Sequence, residues 1–193
     1  MRLDILNHGY RPGTKLLFTI IRLFSGHPVP DAAKLVFYRP DFYGARAKEF
    51  THESMRGPSA WSVADRELMA AYVSQANGSA FCIGAHTATA RRAYQDGEKV
   101  AAVLADLESA PVGDGLRATL RMLGKLTREG QVGGEDMRDV LSAGVSRQQA
   151  EDALAVCAAF NTTGRLADAF GFEVLSQEGF DSGAAYLLKR GYR

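Results

Sequence analysis

Apolar residues recur along this chain with the spacing of helices. Residues three or four apart in sequence are neighbours on a helix surface, so a stripe at that spacing marks a buried face. One such stripe consists of Val63, Leu68, Met69, Tyr72 and Val73. The sequence contains no sustained alternation of apolar and polar residues, which would indicate a half-buried strand. The pattern therefore predicts an all-α protein.

Capping residues, glycines and prolines divide this pattern into about eight or nine helices. Ser62 with Asp65, and Ser146 with Gln149, have the spacing of capping boxes at helix starts. The predicted helices cover about 12–26, 31–37, 40–57, 62–77, 79–94, 99–107, 116–127, 135–142 and 146–170. The tail after Gly171 is predicted to be less regular.

The composition is that of one ordinary globular domain. The chain has 193 residues, 46% of them hydrophobic and 23% charged, which suits a single domain spanning 1–193. The net charge of +1 lacks the basic excess that a large nucleic-acid interface needs. The apolar run 16–21 stops at Arg22, far short of the roughly 20 residues of a membrane-spanning helix. Neither a nucleic-acid partner nor a membrane partner is expected.

The two cysteines of the chain, Cys82 and Cys157, provide no disulfide framework. Free thiols are typical of reducing compartments, so a cytoplasmic protein is expected. Cys157 lies among apolar residues and is interpreted as a core residue. His8, His27 and His52 do not have the spacing of metal ligands. Neither a metal nor a cofactor is expected.

Cys82 and His86 form a candidate thiol site at the start of a predicted helix. The two residues are four apart, so they share a helix face. If Ser79 caps the helix, Cys82 lies in its first turn, where the helix dipole favours a thiolate. A tight turn at Gly78 would pack the preceding helix antiparallel and bring Glu67 close to His86. These residue types could relay the thiol proton, although a cysteine on a helix is most often an inert core residue.

Glu67, Cys82 and His86 resemble the catalytic residues of the carboxymuconolactone decarboxylase / alkylhydroperoxidase D-like family. In the peroxidase branch of that family a Glu stands twelve positions before a Cys-x-x-Cys-x-x-x-His helix start, and these three residues match its Glu, second Cys and His. The similarity extends over 65–68, 73–78 and 85–91, and later over 120–128, 144–146, 159–161 and 165–171. The later segments are similar to the peroxidase-related subgroup. The resemblance places a family core at about 35–105 and a helical extension at 113–171.

The resemblance implies a helical array that reduces small-molecule hydroperoxides and assembles as a homo-oligomer, such as a dimer, trimer or hexamer. The sequence departs from the family at Ser79, where the first Cys of the motif would stand. A hydroxyl cannot resolve a sulfenic acid, so a disulfide between positions 79 and 82 is not available. An external thiol or protein reductant is therefore expected. Phe81, between the two positions, is interpreted as part of the pocket wall.

Three functions are compatible with these residues. In the first, a one-cysteine thiol peroxidase, Cys82 attacks the hydroperoxide, Glu67 and His86 relay the proton, and Ser79 caps the helix. In the second, an acid–base enzyme of the decarboxylase kind, Glu67 and His86 suffice and Cys82 is incidental. In the third, a degenerate member of the family acts without catalysis as a helical oligomer, ligand binder or stress-associated partner.

Overall fold

The computed structural model describes residues 4–38 and 40–192, and over these residues the protein is all-helical. Its α-helices are α1 (Pro12–Ser25), α2 (Asp31–Tyr38), α3 (Ala45–Arg56), α4 (Val63–Asn77), α5 (Ala80–Tyr94), α6 (Gly97–Ala105), α7 (Asp114–Glu129), α8 (Gly134–Ser142), α9 (Arg147–Phe170) and α10 (Gln177–Arg190). A 3-10 helix (Asp4–Asn7) precedes α1, and a π-helical turn (Pro40–Gly44) leads into α3. The all-α prediction is confirmed.

The prediction of an irregular tail is wrong, and α10 brings the described residues to ten α-helices instead of eight or nine. Ser176 caps α10 by accepting a hydrogen bond from the backbone N–H of Gly179 at 3.3 Å. Phe180 and Ala184, one turn apart, are its buried apolar side chains. Such a narrow stripe gives a weak sequence signal, and packing of α10 against α5 supplies the stability that helix propensity does not.

Both predicted capping boxes are present. The hydroxyl of Ser62 accepts from the backbone N–H of Asp65 at 3.0 Å, and the Asp65 carboxylate accepts from the Ser62 N–H at 3.1 Å. Ser146 and Gln149 make the equivalent pair of bonds at 3.1 and 3.0 Å. These caps fix the starts of α4 and α9, two helices that pack together.

The core has two parts. The larger surrounds α4, which packs against α5, α7 and α9 and contributes fully buried side chains such as Leu68, Met69 and Val73. The smaller lies on the other side of α5, between α2, the end of α9 and α10, and contains Phe81, Cys82, Phe172 and Phe180. Helix α5 therefore separates the two cores, and its residues face both.

Helix α1 lies on the outside of the molecule and has no buried residue. Several of its large apolar side chains are exposed, including Leu16, Leu23 and Phe24 at 62, 77 and 89%. None of the helices in 4–38 and 40–192 combines the length and apolar character needed to cross a lipid bilayer.

Candidate functional site

A tight helical hairpin brings Glu67 and His86 together. Helix α4 ends at Gly78, whose φ of +72° is readily adopted only by glycine, and the chain reverses directly into α5. The imidazole Nδ1 of His86 lies 2.8 Å from Oε2 of Glu67. Glu67 is fully buried and His86 is 5% exposed. The pair therefore lies between packed helices, away from bulk water.

The Glu67 carboxylate also accepts hydrogen bonds from two residues outside the hairpin. Arg56 Nη2 donates to Oε1 at 2.6 Å, and the hydroxyl of Tyr192 donates to Oε1 and Oε2 at 3.0 and 3.2 Å. Burial by itself would raise the pKa of Glu67, but the hydrogen bond from His86, the charge of His86 when it is protonated, and the charge and hydrogen bond of Arg56 outweigh it and hold that pKa below its ordinary value. The carboxylate is thus ionised within the protein interior.

An ionised carboxylate only accepts hydrogen bonds, so the Nδ1 of His86 must carry the proton that it donates to Glu67. In neutral His86 the other nitrogen, Nε2, then holds the free lone pair and can accept a proton. The ring is fixed by an edge-on contact with Phe160, with centroids 4.2 Å apart, and it lies parallel to the Tyr192 ring at 6.4 Å. The imidazole of His86 is thereby held in one orientation.

Cys82 lies in the first turn of α5, on the same face as His86, and is 1% exposed. Its neighbours in the smaller core are aromatic, with Phe81 edge-on to Phe172 at 5.4 Å and 6.0 Å from Phe180. Burial raises the pKa of the Cys82 thiol to about 11, a hydrogen bond with Ser79 lowers it, and the charge of Asp168 raises it further. The sequence predicted that the helix start would favour a thiolate at Cys82, and this prediction is wrong. Burial of Cys82 disfavours the thiolate more strongly than the helix start favours it.

Ser79 occupies the N-cap position of α5, but its side chain does not cap the helix. The hydroxyl instead donates to Oδ1 of Asp168 at 3.1 Å and lies 3.5 Å from the carbonyl oxygen of Gly164. The predicted capping role is therefore wrong: a capping oxygen would accept from a backbone N–H of α5, whereas the Ser79 side chain is directed towards α9, which approaches closely at Gly164. Ser79 links the start of α5 to α9.

Phe81 is buried beside Cys82 in the smaller core. The structure thus brings Glu67 and His86 into direct contact and places Cys82 one helical turn before His86. Each of these side chains belongs to a residue at least nine-tenths buried. The site is closed to solvent.

Sequence reasoning missed Arg56 and Tyr192. They lie 11 and 125 positions from Glu67 along the chain, and Tyr192 follows a helix that the sequence did not predict. One usable signal exists. A glutamate on the apolar side of a helix is costly to bury without a cation, so Glu67 required a basic partner, and Arg56 ends the helix before it.

Comparison with known proteins found one matching family model and several solved structures of similar fold. Residues 40–125 match the model of the carboxymuconolactone decarboxylase family. A peroxidase-related protein from Silicibacter sp. TM1040 has a similar structure, with a TM-score of 0.78 and 24% sequence identity over 92% of this chain and 93% of that chain. No protein of curated function matches the sequence.

Two further solved structures have the same architecture. An alkylhydroperoxidase AhpD core protein, peroxidase-related, from Ralstonia eutropha JMP134 has a TM-score of 0.74 at 20% identity over 95% of both chains. The debrominase Bmp8, solved with 2,3,4-tribromopyrrole, has a TM-score of 0.70 at 16% identity over 87% of this chain and 88% of that chain. At these identities the likeness shows the fold, and the predicted resemblance is confirmed: residues 40–125 match the carboxymuconolactone decarboxylase family, within a chain that adopts the alkylhydroperoxidase D-like fold.

Proposed function

We propose that the protein is a thiol-dependent peroxidase in which Cys82 is the nucleophile and His86, oriented by Glu67, is the base. The observation that carries the proposal is the buried 2.8 Å contact between Glu67 and His86, one helical turn from the thiol. An interior acid–base pair of this kind costs folding free energy unless its partners offset it. Its place beside a cysteine favours proton transfer as its role.

The reaction begins with transfer of the Cys82 thiol proton to Nε2 of His86. The sulfur attacks one oxygen of the hydroperoxide, the O–O bond breaks, and the departing alkoxide or hydroxide takes the proton back from Nε2. The thiol is oxidised to sulfenic acid and the peroxide is reduced to an alcohol or water. Two equivalents of an external thiol then restore Cys82 and leave as a disulfide with one molecule of water.

The raised pKa of Cys82 sets the rate enhancement that His86 must supply as a general base in this proposal. A thiol with a pKa of about 11 is ionised to about one part in 10⁴ at pH 7. A positioned general base contributes typically 10²–10⁴ in rate, which is the same order as this deficit. The proposed activity therefore depends on His86, because spontaneous ionisation supplies too little thiolate.

Cys157 is a poor candidate for the resolving thiol. It belongs to the larger core, whereas Cys82 belongs to the smaller core. The amide of Asn161 donates to its sulfur at 3.2 Å, and the hydroxyl of Thr127 lies 3.6 Å from it. With Ser79 at the other motif position, reduction falls to an external thiol or protein reductant. We place the protein in the cytoplasm, where such reductants keep thiols free.

An acid–base enzyme of the decarboxylase kind is the second candidate. Two observations favour it: the Glu67–His86 contact does not involve the thiol, and the pKa of Cys82 is raised. In that enzyme Nε2 of His86 would remove a proton from a carbon acid or lactone, and Cys82 would only fill the core.

Peroxide turnover with a thiol reductant distinguishes these functions when wild type is compared with Cys82→Ala and His86→Gln. The proposal expects turnover in wild type and at least ~100-fold loss in each variant. Cys157→Ala is the matched control and should retain the wild-type rate. Equal rates for wild type and Cys82→Ala would refute the peroxidase. No turnover together with no sulfenic acid trapped at Cys82 would favour a non-catalytic member.

Helix α1 supports the further proposal of a homo-oligomer. Its exposed Leu23 and Phe24 form part of an apolar surface that packs on nothing in the described chain, and such surfaces commonly mark subunit contacts. Light scattering at micromolar concentration should give a multiple of the chain mass, and Leu23→Glu should lower it. A clean monomer in wild type would contradict this proposal.

A further inference from the structure

Tyr192 contacts both members of the acid–base pair from the far end of the chain. Its hydroxyl lies 3.0 and 3.2 Å from the Glu67 oxygens and 3.5 Å from Nδ1 of His86. Its ring lies within 19° of parallel to the imidazole, and the Arg56 guanidinium lies 5.1 Å from the ring centroid. Burial and the charge of Glu67 raise the pKa of Tyr192 well above its ordinary value. The phenol therefore keeps its proton and acts as a donor.

The backbone around Tyr192 holds this hydroxyl in place. Gly191 has φ +68° and ψ −152°, a conformation that is open essentially to glycine alone, and a Cβ there would lie 2.8 Å from two atoms of the His52 ring. The N–H of Tyr192 donates to Nδ1 of His52 at 3.2 Å. Arg56 Nη2, besides bonding Glu67, donates to the carbonyl oxygen of Leu187 at 3.1 Å. The end of α10 is thus fastened to α3.

We infer that Tyr192 is a positioning residue for the site: its hydroxyl fixes the Glu67 carboxylate so that Nδ1–H of His86 bonds to Oε2 and Nε2 stays available as the base. Arg56 bonds only Oε1, whereas the Tyr192 hydroxyl bridges both oxygens. Without that bridge the carboxylate can rotate about the Arg56 bond, and the His86 ring loses the acceptor that orients it. The role of Nε2 rests on the proposed function, but the orientation of His86 does not.

Tyr192→Phe tests this inference because it removes the hydroxyl and keeps the ring. Helix α10 also supplies a matched control, since Tyr186 is 57% exposed and Tyr186→Phe makes the same chemical change away from the site. A second variant, Gly191→Ala, keeps the hydroxyl but places a Cβ against His52 and so displaces Tyr192.

The main measurement is ¹⁵N NMR of protein labelled at its four histidines, with His86→Gln used to assign His86. In wild type the Nδ1–H of His86 should be seen as a slowly exchanging proton. Tyr192→Phe and Gly191→Ala should shift this signal and speed its exchange with water roughly 10-fold, the effect of one lost hydrogen bond to a charged group. Tyr186→Phe should leave it unchanged. A wild-type signal and exchange rate in Tyr192→Phe would overturn the inference.

Oxidation of Cys82 by peroxide provides the second measurement. The rate should fall roughly 10-fold in Tyr192→Phe relative to Tyr186→Phe, measured under conditions in which both variants are fully folded. An equal oxidation rate in the two variants would overturn the role of Tyr192 in the reaction. If wild type itself is not oxidised, the proposed peroxidase fails, and the NMR comparison still decides whether Tyr192 orients His86.

Discussion

Replacement of Arg56 by Met should destabilise the protein by leaving a buried carboxylate without its cation. Arg56 Nη2 and Glu67 Oε1 are 2.6 Å apart, and their side chains are 10 and 0% exposed. Removing one member of a buried ion pair costs about 3–5 kcal/mol, because the other charge remains desolvated. Tyr192 and His86 still donate to Glu67 in the variant. We therefore expect a loss near ~3 kcal/mol, the lower end of that range.

The loss of unfolding free energy in Arg56→Met should depend on pH, because it depends on whether Glu67 is ionised. In wild type the pKa of Glu67 in the folded state lies below its unfolded value, so ionisation of Glu67 stabilises the protein above the unfolded pKa, and this stability is lost as pH falls through the folded pKa. Without Arg56 the folded pKa of Glu67 is higher than in wild type, because the charge and the hydrogen bond of Arg56 that lower it are gone. The variant therefore gains less stability than wild type from ionisation of Glu67 as pH rises, so its deficit should be larger at pH 7 than at pH 4.

Urea unfolding at pH 7 and at pH 4 measures both effects. Arg121→Met is the matched control, since Arg121 and Glu108 form an exposed ion pair with side chains 50 and 59% exposed, and such pairs contribute at most about 1 kcal/mol. The double variant Arg56→Met, Glu67→Gln should recover part of the loss, because no unpaired charge remains. A deficit below about 1 kcal/mol at pH 7, or one that does not shrink at pH 4, would refute this account of the pair.

Three further experiments, two of them on variants, probe the surroundings of Cys82. Phe180→Ala should lower the free energy of unfolding by about 3 kcal/mol, because Phe180 is 7% exposed and packs close to Gly84. It should also speed alkylation of Cys82. An unchanged alkylation rate would show that Phe180 does not cover the thiol. In wild type, alkylation of Cys82 should rise about 10-fold per pH unit towards its pKa of about 11, and a plateau below pH 9 would contradict the raised pKa. Ser79→Cys should form an intramolecular disulfide with peroxide, seen as a loss of two hydrogens by mass spectrometry, and its absence would show that the two positions cannot bridge.

The sequence predicted those parts of the fold that depend on local rules. The capping boxes at Ser62 and Ser146 and the turn at Gly78 are set by residues within four positions of one another. The α4–α5 hairpin follows from them, and with it the approach of Glu67 to His86. Helix α10 was missed because its stability comes from contacts with α5 rather than from its own pattern.

The parts of the candidate site that depend on tertiary contacts could not be predicted from the sequence. Ser79 has the residue type and position of an N-cap, but α9, more than 80 positions later, provides the acceptors that its hydroxyl uses. The raised pKa of Cys82 likewise results from burial in the smaller core, to which Phe172 and Phe180 belong and which no local motif links to the thiol. The contact of Tyr192 with Glu67 could not be predicted for the same reason, since the two residues lie 125 positions apart.

The C-terminal segment contributes to both halves of the candidate site. Phe172 and Phe180 belong to the core in which Cys82 is buried, whereas Tyr192 donates to Glu67 from the end of the same segment. Any movement of α10 that admitted water to the thiol would relieve the desolvation that raises its pKa. If the same movement withdrew Tyr192, the carboxylate that orients His86 would lose its bridging donor. The proposed reaction at Cys82 therefore requires access to the smaller core while the end of α10 stays fastened through Arg56. For that reaction, the anchoring of α10 is as important as the residues of the α4–α5 hairpin.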